Sequence, residues 1–270
     1  MYLSLRSDAS QEIYPGNTIG DFTVRLPGEL NFEHDSHQIA LVSMSYPFSF
    51  KNIRESYVVF GANTAEAPPP VGVTLEAGYY ETTQSLLADL NRSMNKAFAA
   101  SVGDPWRDGE NVSSQCYAVL RLNSSGKVMF RLRPRGHEVP FVCHLPKNLY
   151  VKLGFALKWT KDRYTHTGEV AEYEPDLNAG IGSLFVYCDA MSKSRFVGPV
   201  MLSLLRIIPV SGTRDMITHY QPKTLEYFKL NVNHFSEVTI HVRDELGRTI
   251  EFTAGKICVD LHIKKRSVLD

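Results

Sequence analysis

Apolar and polar positions alternate most regularly near the end of the chain. Val238, Ile240 and Val242 alternate with Thr239, His241 and Arg243, and Ile257, Val259, Leu261 and Ile263 alternate with Cys258, Asp260, His262 and Lys264. Successive side chains of a strand point to opposite faces, so each segment predicts a strand with one core face and one wet face. Between them, Asp244-Glu245-Leu246-Gly247 predicts a tight turn. Gly247 tolerates positive φ, which suits a type I turn closed by a bulge, and Asp244 can bond back to the turn backbone. The pattern predicts a meander of strands 235–243, 248–252 and 256–264, the first paired with the second and the third a core strand.

Shorter alternations recur along the chain. Phe22, Val24 and Leu26 alternate with Thr23 and Arg25, and 39–46 is apolar on both faces, as a central strand is, until Pro47 stops it. Residues 57–60, 183–188 and 202–210 predict further strands, and 117–122 with 127–133 predicts a hairpin around Asn123-Ser124-Ser125-Gly126. The period changes at 82–99, where Leu86, Leu87, Leu90, Met94 and Phe98 fall on one stripe of an amphipathic helix capped by Thr82 or Thr83. That stripe suits a sheet edge or barrel end better than a cofactor. A short helix is predicted at 146–155, with Pro146 near its first turn and Gly154 near its end. Residues 65–70, 101–115 and 160–182 predict exposed connections, the last a place for recognition residues. About ten strands without a β-α-β rhythm predict an all-β fold, an antiparallel sandwich or barrel, and their number suits a single jelly roll of eight core strands. The expected organisation is one domain over 1–270, with loop and helix insertions near 61–115 and 145–182.

Among the 270 residues, 29 basic and 29 acidic side chains balance, so no net field draws the chain to nucleic acid or an anionic membrane. No apolar run reaches the roughly 20 residues of a membrane span. The strand-like start Met1-Tyr2-Leu3-Ser4-Leu5-Arg6 lacks a secretory apolar region, so synthesis in the cytosol is expected and the sequons at Asn91, Asn111 and Asn123 are chance matches. Cys116, Cys143, Cys188 and Cys258 form no CxxC pair. Buried free thiols are the favoured state, with a disulfide or a metal site as the alternative.

His34-Asp35-Ser36-His37 is the densest group of metal-ligand residue types. A cupin-type metal site would place HxH on one strand, whereas the HxxH spacing here sends the two histidines to opposite faces. GxSxG, HExxH, P-loop and GxGxxG motifs do not occur, so neither catalysis nor a metal or cofactor is expected. Arg121, Arg131 and Arg133 take alternate outward positions on the 117–133 hairpin, Arg135 lies just beyond, and Lys264, Lys265 and Arg266 form a second basic group. Each is read first as a solvated strand face that resists edge pairing. The alternative is contact with an acidic partner or a phosphate backbone.

Several segments together resemble the single jelly-roll minor capsid, or penton, proteins of adenovirus-like DNA viruses and Polinton-type mobile elements, including adintoviruses and adomaviruses. The resemblance covers most of the chain. It is carried by Ile13-Tyr14-Pro15-Gly16-Asn17 leading into 22–26, by Ser45-Tyr46-Pro47, and by Gly78-Tyr79-Tyr80 before the long helix. Further on it rests on Leu153-Gly154-Phe155, on Phe185-Val186-Tyr187-Cys188-Asp189, on Leu205-Arg206-Ile207-Ile208-Pro209-Val210, and on the closing segment 240–264. The resemblance implies a structural virion protein without catalytic residues, a homopentamer that plugs five-fold vertices beside a double jelly-roll major capsid protein. Other minor capsid or fibre-like proteins are further implied partners. Synthesis in the host cytoplasm and assembly in the host nucleus follow from the same likeness.

Two rivals come from other classes. A lectin-like ligand- or receptor-binding β-sandwich needs a pocket of aromatic and polar side chains, for which 164–173 is the candidate stretch. A metal-dependent jelly-roll enzyme is disfavoured by the histidine spacing.

Overall fold

The computed structural model describes residues 1–33, 36–62, 70–101, 118–132, 141–156 and 170–266. In chain order the elements begin with β1 (Tyr2–Arg6), β2 (Asp21–Asn31), β3 (His37–Pro47), β4 (Ser56–Ala62), β5 (Val71–Leu75) and α1 (Thr83–Ser101). There follow β6 (Ala118–Leu122), β7 (Val128–Leu132), β8 (Phe141–His144), α2 (Lys147–Lys152), β9 (Ser183–Cys188), β10 (Arg195–Val197) and β11 (Val200–Leu202). The chain closes with β12 (Leu204–Pro209), β13 (Ile217–Tyr220), β14 (Phe228–Lys229), β15 (His234–Arg243) and β16 (Cys258–Lys265). Two compact units result, one of 1–51 with 180–270 and one of 52–179.

The first unit is a long antiparallel hairpin rolled up on itself. β1 pairs with β16, β2 with β15, β3 with β13 and β9 with β12, so strands nest from the chain ends inward. Rolling sets β16 against β3 and β15 against β9, which yields sheets ordered β1-β16-β3-β13 and β12-β9-β15-β2. This is the jelly-roll pairing, all antiparallel. The alternation read in the sequence supplies its core. Phe22 and Val24 on β2, Leu184 and Val186 on β9, Val238, Ile240 and Val242 on β15, and Val259, Leu261 and Ile263 on β16 are all buried. β3 has neighbours on both edges and is buried along most of its length, as its two-faced apolar pattern predicts.

The meander reading is overturned here. β15 and β16 lie in different sheets, so the 244–257 segment crosses between sheets. Residues 248–252 form no strand; among the described residues they make the isolated bridges Arg243↔Thr249 and Phe50↔Phe252 and a bond from the Lys51 N–H to Glu251 O. The reason is that both edges of β15 are already taken, by β2 and β9. The turn itself forms as read. Gly247 has φ +74, and the buried Asp244 carboxylate accepts hydrogen bonds from the Leu246 and Arg248 backbone N–H groups at 2.9 and 2.8 Å.

In the 52–179 unit, β5, β4 and β8 form one sheet and β6 and β7 a hairpin. The α1 stripe Leu86, Leu90, Met94 and Phe98 packs into a core with Val58, Phe60, Phe130 and Leu149. Thr82 is the cap, its hydroxyl accepting the Ser85 N–H at 3.2 Å. Asn91 of the first sequon ties helix to hairpin, bonding both the N–H and the carbonyl of Leu120 at 2.6 and 2.8 Å. Pro146 stands at the N-terminal boundary of α2, and Gly154 has φ +87 with its Cα against the Tyr173 carbonyl.

Of the predicted 160–182 loop, 170–182 is described, and it does not stand free. Ala171 N–H bonds Val128 O at 2.8 Å, Asp176 N–H bonds Lys152 O at 2.9 Å, and Ala171 and Leu177 are buried. Its apolar residues are too few to show a period but enough to pack. Most of 65–70 and nearly all of 101–115 lie outside the described residues.

Candidate assembly surface

Among the described residues, one side of the sandwich leaves two sheet edges open, because β12 ends one sheet and β13 ends the other. Arg206 on β12 links them by donating from Nε to the Tyr220 hydroxyl on β13 at 3.2 Å. Large apolar side chains stand in solvent along this side: Ile207 is 40% exposed, Met216 60% and Ile217 70%. A neighbouring hairpin, β10–β11, turns at Gly198, φ +59. Its register sets Phe196 opposite Met201 and Val197 opposite Val200, so one face carries Phe196 and Met201 and the other Val200. Phe196 is 71% exposed, Val200 52% and Met201 42%. Isolated exposed apolar residues are ordinary, but a run of this extent beside open edges marks an interaction surface.

A charged clasp holds the hairpin to the sandwich. The Glu226 carboxylate accepts from Arg206 Nη1 at 2.5 Å and from Arg195 Nη2, and the Arg195 guanidinium lies 4.9 Å over the Phe228 ring. Burial, and then the like charge of Arg206, lowers the Arg195 pKa from its ordinary value. Two guanidiniums share one carboxylate, so the clasp keeps one net positive charge. Lys193, two residues before Arg195, and Lys223, three residues before Glu226, are exposed and make no ion pair among the described residues.

The opposite edge, β2, is closed by its own chain. Asn17 bonds the Thr23 N–H and carbonyl at 2.9 and 2.8 Å, and Ser10 Oγ accepts the Arg25 N–H at 3.0 Å. Farther along, pairing skips from Phe235↔Leu30 to Glu237↔Arg25, so 26–29, with Pro27 and Gly28, bulge out of the ladder. Such a bulge with a proline blocks strand addition. Exposed Glu12, Ile13, Arg25, Glu29 and Glu237 decorate this side, and Tyr14 donates its hydroxyl to Glu237.

The outer sheet faces are polar and internally bonded. Asp21 accepts from His241 and Arg243 at 2.7 and 2.6 Å; burial opposes its charge, and these hydrogen bonds outweigh it, holding its carboxyl below the ordinary range. A depression of about 380 Å³ lies beside them, lined by Tyr187, Asp189, Lys193, His241 and Arg243. Asp260 takes the hydroxyls of Ser4 and Ser43 at 2.6 and 2.5 Å. Cys143 and Cys188 are buried thiols, each pushed up to about 12 by burial, while Cys258 is half-buried.

The residues singled out from sequence are dispersed. Arg131 is on β7, and Arg133 and Arg135 lie outside the described residues, as do His34, Asp35 and Cys116. Lys264 Nζ sits 4.1 Å over the Tyr227 ring, Lys265 pairs with the exposed Glu33 at 3.1 Å, and the Arg266 N–H bonds Ser36 O. His37 Nδ1 is 2.6 Å from Ser36 Oγ, and among the described residues no three of His, Cys, Asp or Glu converge on a metal position. Of the lectin candidate stretch, 164–169 lies outside the described residues, and Tyr173 is exposed. Phe196, Met201, Met216, Ile217 and Glu226 were not anticipated. Two short apolar runs around Gly198-Pro199 are the signal that would have revealed the hairpin.

No protein-family model matches the chain, and no curated protein matches it in sequence. Solved structures with a similar chain course include the penton protein of mavirus, at 10% identity and a TM-score of 0.49, covering 98% of this chain and 99% of that one. Another is a cryo-EM structure of the Sputnik virophage, at 13% identity and a TM-score of 0.44, covering 100% of this chain and 99% of that one.

Proposed function

We propose that this chain is a structural virion protein, a penton or minor capsid subunit that closes five-fold vertices beside a double jelly-roll major capsid protein. The observation that carries the reading is the jelly roll's open side, where two sheet edges have no partner strand among the described residues and the apolar β10–β11 hairpin is exposed. Such a side is a liability for a protein that works alone and an asset for one that packs against neighbours. The sequence resemblance supports the same role in a particle of the adenovirus-like, Polinton, adintovirus or adomavirus kind. Its motifs fall on scaffold positions: Ser45-Tyr46-Pro47 ends β3, and 205–209 lies on β12. In this reading the jelly roll is one domain, 52–179 is its insertion, and the basic residues Arg131, Arg133, Arg135 and Lys264 to Arg266 are candidate contacts to an acidic neighbour. The role asks the chain for surfaces rather than for a reacting group.

The test is composition and position in purified particles of the encoding virus. Peptides of this chain in the particle, with its jelly roll in density at the five-fold axes, support the proposal. Particles that lack the chain, or that carry it only away from the vertices, overturn it.

A further inference from the structure

The two sides of the sandwich differ in the way a closed ring requires. A ring of identical subunits joins one surface to a different surface of the next copy, so each subunit needs two unlike and complementary faces. The β12–β13 side is apolar and basic: Phe196, Met201 and Ile217 are exposed, Lys193 and Lys223 make no ion pair among the described residues, and the Arg195–Glu226–Arg206 clasp is net positive. The β2 side is acidic on balance: exposed Glu12, Glu29 and Glu237 outnumber the exposed Arg25, Glu12 and Glu29 make no ion pair among the described residues, and Glu237 lies opposite Arg25 and is met by the Tyr14 hydroxyl. It also offers the apolar Ile13, 57% exposed.

Resting on the vertex reading above, we infer that the β12–β13 side, led by the β10–β11 hairpin, docks on the β2 side of a second copy of this chain, head to tail around the ring. The contact is made by side chains. The β2 backbone is closed by Asn17 and Ser10, so the neighbour's open edges do not extend the sheet. Phe196 and Met201 supply the apolar area, and the basic-on-acidic match fixes which side meets which. The same match disfavours a two-fold dimer through either side, since that would set like charges face to face.

Charge reversal tests the pairing, because all four charged positions are exposed and their variants keep the core intact. Lys193→Glu with Lys223→Glu, and Glu12→Lys with Glu29→Lys, each remove the assembled species, which for a pentamer of 30.4 kDa chains is about 150 kDa by light scattering. The quadruple variant, with both sides reversed, restores it. A photo-crosslinking benzoylphenylalanine at position 196 labels peptides from 9–31 of the neighbouring copy. Rings that survive both double variants, or crosslinks confined to other segments, overturn the pairing while leaving self-assembly intact. A chain that stays monomeric with its capsid partner present overturns the pairing and the vertex reading together.

Discussion

Arg206 and Glu226 meet at 2.5 Å, and the same carboxylate also accepts from Arg195, so a single acidic residue fastens the β10–β11 hairpin to the edge of the sandwich. Removing that carboxylate leaves two guanidiniums facing each other. Because the groups are partly solvated, Glu226→Gln is expected to change global stability by under about 1 kcal/mol. The local effect is larger: amide hydrogen exchange over 195–202 accelerates while that of β15 and β16 stays as in the parent chain. Unchanged exchange in the hairpin would show that the clasp does not hold it.

β16 lies between β1 and β3, and its Val259 and Leu261 are fully buried. Val259→Asp places an unpaired carboxylate in the core, at a cost of several kcal/mol, and is expected to abolish folding. A soluble Val259→Asp protein with parent-like circular dichroism and urea midpoint would contradict the burial of this strand.

How much of this was legible beforehand follows from what alternation encodes. The pattern at 238–242 and 257–263 showed which face of each strand is apolar, and the structure buries that face. It said nothing about which strand lies alongside, and so 235–243, 248–252 and 256–264 read as one meander although β15 and β16 lie in different sheets. Nested pairing joins segments as distant as Leu5 and Val259, and the local sequence of neither names the other. Helix α1 was legible down to its buried stripe, since a 3.6-residue period and a threonine cap are local signals. The exposed apolar side was missed for the opposite reason. Phe196, Met216 and Ile217 are apolar residues that the fold leaves outside, and sequence pattern alone assigns apolar residues to the core.

Within the 52–179 unit, Leu90 is fully buried against the sheet and hairpin core. Leu90→Ala is expected to cost about 2 to 5 kcal/mol. The check is the urea midpoint followed by far-ultraviolet dichroism; an unchanged midpoint would place the α1 stripe outside the core.

Asp21 gives the fold a pH dependence of known sign. Its folded pKa is held below the ordinary carboxylate value, so its contribution is complete above that value, about 4, and is lost as pH falls through the folded pKa. Asp21→Asn is therefore expected to be less stable than the parent chain at pH 7, with the gap narrowing below about pH 4. Urea midpoints at pH 7 and pH 3 measure the gap. A gap that is equal at both pH values would remove the His241–Asp21–Arg243 network from the stability of the sheet.

In the proposed role this jelly roll occupies capsid vertices. Cryo-electron microscopy of purified particles, with local reconstruction about the five-fold axis, tests it most directly. Five copies of the β1-β16-β3-β13 and β12-β9-β15-β2 sandwich are expected around each axis, with every β10–β11 hairpin against the β2 side of its neighbour. A vertex built from another chain, with this one absent from the particle, would contradict it.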